Sequence, residues 1–206
     1  PLFEWQNKIT EDDSSIIKCL KGRQSGASSL IPFLTSLNKK TLVVNLSHHL
    51  LHELKRAKFL PFLYKYNLYI LKNRAQKIIY KDKTEKKHIV DFTTEDNLLN
   101  KELKKYDKII FDNIEIDEGW IKKSTSIDLE KTQVYMFFSP EDTDSSWYVI
   151  PTINNLNIDK KQLKDFKKMF EQKQYRQQIL AGIYLPDKYS FGPFIEEYTK
   201  TKKELF

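Results

Sequence analysis
The chain is poor in the residues that staple or loosen a fold. Cys19 is its single cysteine, so an internal disulfide framework and a cysteine-built zinc site are excluded, and the usage fits a reducing compartment. Five glycines and seven prolines are scattered over 206 residues, too few for collagen-like or linker-like sequence. No apolar run approaches the roughly 20 residues of a membrane-spanning helix. No secretory leader opens the sequence. The expectation is a cytoplasmic protein without membrane contact. It begins at Pro1 rather than methionine, as a fragment of a longer chain would.

What is present is a globular composition, 40% hydrophobic, 13% aromatic and 31% charged. The length predicts one domain, at most two, and a chain of this size buries enough surface to fold without staples. Lysine and arginine number 35 against 28 acidic residues, a net charge of +7, which leans toward a polyanionic partner. The basic residues concentrate in 72–88 and 158–176. Lys81, Lys83, Lys86 and Lys87 are candidate contacts to DNA phosphates. The competing reading of both stretches is a solvated face.

The hydrophobic pattern alternates between strand and helix. Apolar, β-branched runs at 15–20, 41–46, 106–111 and 132–138 predict buried parallel strands. A helix is expected over 27–37, and another from His48 to about Phe59, capped by Ser47 and stopped by Pro61. Segments 74–80 and 87–92 flank a polar turn and predict an antiparallel hairpin. Beyond Pro151 the pattern becomes helical, with Leu163, Phe166 and Phe170 on one face. The expected fold class is α/β, a mostly parallel sheet flanked by helices with a β-hairpin insertion. Residues 1–150 form the core and 151–206 a helical extension packed on it.

Four stations carry candidate chemistry. Gly22-Arg23-Gln24-Ser25-Gly26-Ala27-Ser28, with Ser29 following, lies between a strand and a helix, where backbone N–H groups and the helix dipole favour an anion. A working phosphate loop ends Gly-Lys-Ser/Thr; here Ala27 stands in the lysine position. Asp112 ends a buried strand, where a nucleotide's magnesium is held. Asn113 follows it in place of a proton-accepting glutamate. Ser139-Pro140 tips the 132–138 strand, ahead of Trp147-Tyr148. Near the amino end, Trp5-Gln6 offers an amide able to read an adenine edge. A plain strand–helix turn, a capping Asp, an ordinary Ser-Pro turn and a surface Gln are the competing readings.

Taken in order, the four stations resemble the ATPase domain of the large terminase subunit, the DNA-packaging motor of tailed phages and related viruses, over about residues 3–185. The resemblance implies a P-loop (RecA-like) fold. It places Trp5 and Gln6 at the adenine, and Gly22 through Ser29 around the phosphates of ATP. Arg23 would be an arginine finger, Ser28 and Asp112 the Mg²⁺ ligands, and Ser139 part of the motif coupling hydrolysis to movement. It further implies double-stranded DNA, a portal or small terminase subunit and self-oligomers as partners, in the cytoplasm of an infected host cell. The family's nuclease domain would follow the ATPase, and no room for it remains before Phe206.

Ala27 and Asn113 depart from the family pattern, which predicts slow or absent hydrolysis. The alternatives are a non-catalytic pseudo-ATPase module binding DNA or a motor partner, and another P-loop protein of helicase or initiator type. Glu115 is a weak substitute for the missing glutamate. His48 and His52, four apart on one helix, find no third metal ligand. The aromatic residues Phe59, Phe62, Tyr64, Tyr66 and Tyr69 read as core and linker packing.

Overall fold
The β-branched runs become the middle of one sheet. In the computed structural model, which describes residues 2–22, 24–114, 116–138, 148–152, 155, 157–172, 174–175 and 179–181, the chain opens with helix α1 (Glu4–Glu11) and strand β1 (Ile16–Lys21). Helix α2 (Ala27–Ser36), strand β2 (Lys40–Asn45) and helix α3 (His48–Leu54) follow. A π-helical turn (Lys55–Phe59) joins α3 to helix α4 (Leu60–Lys65). Strands β3 (Tyr69–Arg74), β4 (Lys77–Lys81) and β5 (Lys87–Thr94) come next. Two 3-10 turns (Glu95–Asn100 and Leu103–Lys105), strand β6 (Lys108–Asp112), helix α5 (Glu118–Lys123), strands β7 (Gln133–Phe138) and β8 (Tyr148–Ile150) and helix α6 (Lys160–Met169) complete the described elements.

The strands form one eight-stranded sheet in the order β3-β4-β5-β2-β6-β7-β1-β8. All contacts from β5 through β8 are parallel, and only the β3-β4 and β4-β5 pairs are antiparallel. This is the open α/β fold expected from the pattern. The hairpin is larger than its sequence suggests, because a third strand, β3, extends it. Its arm β5 belongs to the parallel sheet through β2.

Each face of the sheet carries its own core. Ile17, Cys19, Val43 and Ile110 pack with α2, α3 and α4 on one side. Leu42, Ile109, Phe111 and Met136 pack with α5 and the loops on the other. Burying each such side chain is worth about 1.5–3 kcal/mol, and period-two alternation sends neighbours to opposite faces. Both faces are covered, so the strands read as continuous apolar runs.

Pro61 does not stop the helix after α3. The preceding turn is wound in the wider π register, with the Leu60 N–H bonding the Lys55 carbonyl. Pro61 then falls in the first turn of α4, where a missing N–H costs nothing. The aromatic cluster divides accordingly. Phe59 is buried edge-on against Phe92 at 5.1 Å, whereas Tyr64 and Tyr69 are exposed.

The 151–206 region is described only in part. Thr152, Ile179 and Ala181 are buried against the core, and α6 buries none of its side chains. Among the described residues, no helix is long and apolar enough to cross a membrane.

Candidate functional site
The sheet register sets the site. Asn45 on β2 lies opposite Asp112 on β6, and Asp112 lies opposite Phe137 on β7. Leu20 on β1 lies opposite Phe138. The carboxyl ends of four strands therefore finish at one edge, where ligands of open α/β sheets bind. β1 and β6 are not immediate neighbours, since β7 separates them.

The loop after β1 is shaped by backbone constraints. A Cβ on Gly22 would sit 2.7 Å from the Ile179 carbonyl oxygen and 2.8 Å from the Thr152 nitrogen, so no side chain fits. The Gly22 N–H bonds the Ile150 carbonyl, which ties the loop to β8. Gln24 and Gly26 have φ of 57° and 91°, a left-handed conformation that glycine adopts without cost. Gly26 caps α2, and the Ser25 N–H bonds back to the Gly22 carbonyl. Arg23 and Ser139 lie outside the described residues, as does Glu115.

Into the mouth of this loop reaches a side chain that the sequence reading passed over. Lys21, the last residue of β1, forms a buried ion pair with Asp112 Oδ1 and donates to Ser28 Oγ at 3.5 Å. Ser28 Oγ lies 3.4 Å from the same carboxylate oxygen. Asn45 Nδ2 donates to Asp112 Oδ2 at 3.1 Å, and its own Oδ1 accepts from the Leu46 N–H. The ammonium missing at Ala27 is thus present one strand-end earlier, beside the hydroxyl and the carboxylate. A lysine closing an apolar strand directly before Gly22 was the available signal.

Asp112 and Ser28 fit a magnesium site. They bring two hard oxygen donors together, and the cation already facing them is an ammonium. Mg²⁺ takes one or two protein oxygens, keeps waters and shares substrate phosphates. Asn113 follows with φ of 65°, its N–H bonded to the Phe137 carbonyl at 2.7 Å. Asparagine tolerates that conformation better than glutamate does, which gives the residue a backbone reason to be there.

The neighbouring acids are occupied. Asp117 caps α5 through the Trp120 N–H, and Glu118 bridges Lys122 at 2.8 Å and Lys18 at 3.1 Å. The bond from Lys122, more than that from Lys18, holds the Glu118 carboxyl below its ordinary range.

A cleft of about 970 Å³ opens in front of the loop, with Phe3, Gln6, Phe33, Phe62, Lys58 and Asn113 among its walls; binding sites commonly span roughly 300–1,000 Å³. Gln6 borders it, but its Oε1 accepts from the Phe3 N–H at 2.9 Å at the start of α1. That commits the acceptor half of its amide. Trp5 packs over Gly26 instead, and its buried Nε1 has no partner among the described residues.

The basic turn lies elsewhere. Lys81 pairs with Glu85 at 2.5 Å, and Lys83, Lys86 and Lys87 are exposed beside it. The turn precedes β5, so it sits at the opposite end of the parallel strands from the cleft. His48 and His52 are on α3, and among the described residues no three His, Cys, Asp or Glu side chains gather as metal ligands.

No family model matches the chain, and no curated protein does. Solved structures do. The large terminase of a thermophilic bacteriophage superposes with a TM-score of 0.72 at 12% identity, over 88% of this chain and 53% of that one. The same protein in complex with ADP gives 0.69 at 11% identity, over 87% and 53%. The ATPase domain of the Thermus phage P74-26 large terminase gives 0.65 at 9% identity, over 88% and 94%. The chain therefore spans about half the length of the first terminase and nearly all of the P74-26 ATPase domain, and its fold is that of a large terminase ATPase domain.

Proposed function
We propose that this chain is the nucleotide-binding motor domain of a viral DNA-packaging ATPase, with ATP and Mg²⁺ as its ligands. One observation carries the reading. The ammonium of Lys21, the hydroxyl of Ser28 and the carboxylate of Asp112 converge at the mouth of the 22–28 loop. That trio serves one chemistry well, the holding of a magnesium–triphosphate.

In this reading Lys21 would hold the outer phosphates of ATP, and Asp112 and Ser28 would be the residues that hold Mg²⁺. Bound Mg²⁺ would neutralise charge on the phosphates. The main-chain amides of Gly26, Ala27 and Ser28, at the N-terminus of α2, would face the same anion. Asn45 keeps the Asp112 carboxylate aimed by holding its second oxygen. Arg23 would act as the arginine finger and Ser139 as the coupling residue. The thermophilic-phage terminase solved with ADP supports a nucleotide ligand for this fold.

Turnover is expected to be slow, because Asn113 can orient a water but cannot take its proton, a role worth roughly 10²–10⁴ in rate. This favours, as second reading, a pseudo-ATPase that binds nucleotide and engages DNA, a portal, a small terminase subunit or further copies of itself. The two readings part on hydrolysis, and both need nucleotide. Calorimetry of ATP with and without Mg²⁺ tests them: binding near 10 μM or tighter, lost in Lys21→Ala, is expected, about −7 kcal/mol or better. No heat up to millimolar ATP ends both.

A further inference from the structure
A cluster of positive charge away from the 82–86 turn is largely uncommitted. It lines a second cavity, of about 490 Å³, on the sheet face opposite α2 and bounded by Lys72, Arg74, Lys77, Lys101 and Lys105, with Asp91 at its floor. Asp91 is already spent: Lys77 pairs with it at 3.0 Å, and the Tyr106 hydroxyl donates to it at 2.9 Å. Its negative charge pushes the Tyr106 phenol upward, after burial itself. Among the described residues, Lys105 reaches Glu102, at 3.8 Å, and the Tyr106 ring, at 5.5 Å. Lys72, Arg74 and Lys101 make no ion pair among the described residues.

The surface is built as well as charged. Lys55, buried under the hairpin, donates to the Arg74 carbonyl, and the Gln76 carbonyl accepts from the Phe92 N–H at 2.9 Å. The β3-β4 turn carrying Arg74 and Lys77 is thereby pinned from behind. Lys101 and Lys105 come from the crossover between β5 and β6, so two separate parts of the chain meet here.

The geometry points to a binding site for the phosphodiester backbone of nucleic acid in this cleft. Its walls offer cations in a fork-bearing and point-charge mixture suited to phosphate oxygens. They lack the aromatic and aliphatic anchors on which protein partners converge; Tyr106 is buried and Ala75 is the largest exposed apolar group. They also lack the glycine-rich amide cradle that a free nucleotide uses. The site is separate from the nucleotide cleft, so its failure leaves the ATP reading standing.

The test is fluorescence anisotropy of a labelled duplex of about 30 base pairs, across about 50–200 mM salt, where each phosphate contact contributes about 0.9 to the log–log slope. The triple variant Lys72→Ala/Arg74→Ala/Lys101→Ala is compared with Lys122→Ala/Lys123→Ala/Lys131→Ala, which removes equal charge elsewhere. Expected is a loss of about tenfold or more and a slope smaller by nearly three in the first, with little change in the second. Calorimetric ATP affinity stays as in the parent in both. Equal losses in the two triples, an unchanged slope in the first, or displacement of the duplex by an acidic protein but not by excess unlabelled duplex would overturn the site.

Discussion
The Lys21 ammonium, closing β1, rests on the Asp112 carboxylate, closing β6, across the intervening strand β7. Both are almost wholly buried, so neither charge is tolerable alone. Removing one partner of a buried pair typically costs about 3–5 kcal/mol, whereas replacing both is often nearly neutral. Lys21→Met and Asp112→Asn should each lower the urea midpoint strongly, and the double variant should recover most of the loss. Additive losses would show that the two do not act as a pair. ATP affinity should not return in the double variant, because the side chains proposed to hold the phosphates and the metal are both gone.

Asn113 supplies a second prediction. Asn113→Glu places a carboxylate where the attacking water would be oriented, and phosphate release should rise by at least about tenfold, within the range general bases provide. The substitution should also cost about 1 kcal/mol of stability, since glutamate is forced into the left-handed conformation held at φ 65°. Asn113→Gly, stable and no faster, separates the backbone effect from the chemical one. No gain in turnover from the glutamate would place the limiting defect elsewhere.

These two residues show what the sequence made legible. Strands ending at Asp112 and Phe138 announced themselves as β-branched runs, because both sheet faces are covered and nearly every position is apolar. Gly22 through Ser28 could be read as a candidate phosphate loop from its place between strand and helix. Lys21 escaped because it reads as the polar end of a strand; only folding shows that β1 delivers it beside Asp112, a long-range contact that no local spacing encodes. β3 escaped for the opposite reason. Its sequence, Tyr-Ile-Leu-Lys-Asn-Arg, runs from apolar to polar without apolar–polar alternation, although its burial alternates, and it is held by pairing with β4. Pro61 misled, since its rule assumes a regular α register and the preceding turn is π.

The 82–86 turn should be acid-sensitive. Asp82 accepts from His88 Nε2 at 3.0 Å, and from the Thr84 hydroxyl and the Thr84 and Lys86 N–H groups. The His88 bond, first among these, holds its carboxyl well below the usual range. A depressed carboxyl contributes stability that is present above its unfolded value of about 3.9 and is lost as pH falls toward the folded value. Melting temperature should therefore fall on acidification below about pH 4 in the parent, and less so in Asp82→Asn. Superimposable acid limbs would remove Asp82 as a contributor.

Lys108 gives the reverse sign. It is buried at the amino end of β6, with its ammonium over the Tyr135 ring at 4.6 Å, and desolvation lowers its pKa to about 8. A lysine whose folded value lies below its unfolded value of about 10.4 is a liability in full below about pH 8, where both states carry the proton. The liability shrinks as pH rises from about 8 toward 10, because the folded protein releases its proton first. The gap corresponds to about 3 kcal/mol, partly offset by a cation–π contact worth about 1–2. Lys108→Met should thus be more stable than the parent at about pH 7 by about 1–2 kcal/mol, the difference of those two figures. The advantage should narrow by about pH 9.5, below the range in which the buried tyrosines ionise. Urea midpoints at the two pH values decide it. An advantage that stays constant between them would mean that Lys108 remains charged throughout and that the ring and solvent hold its ammonium at little cost.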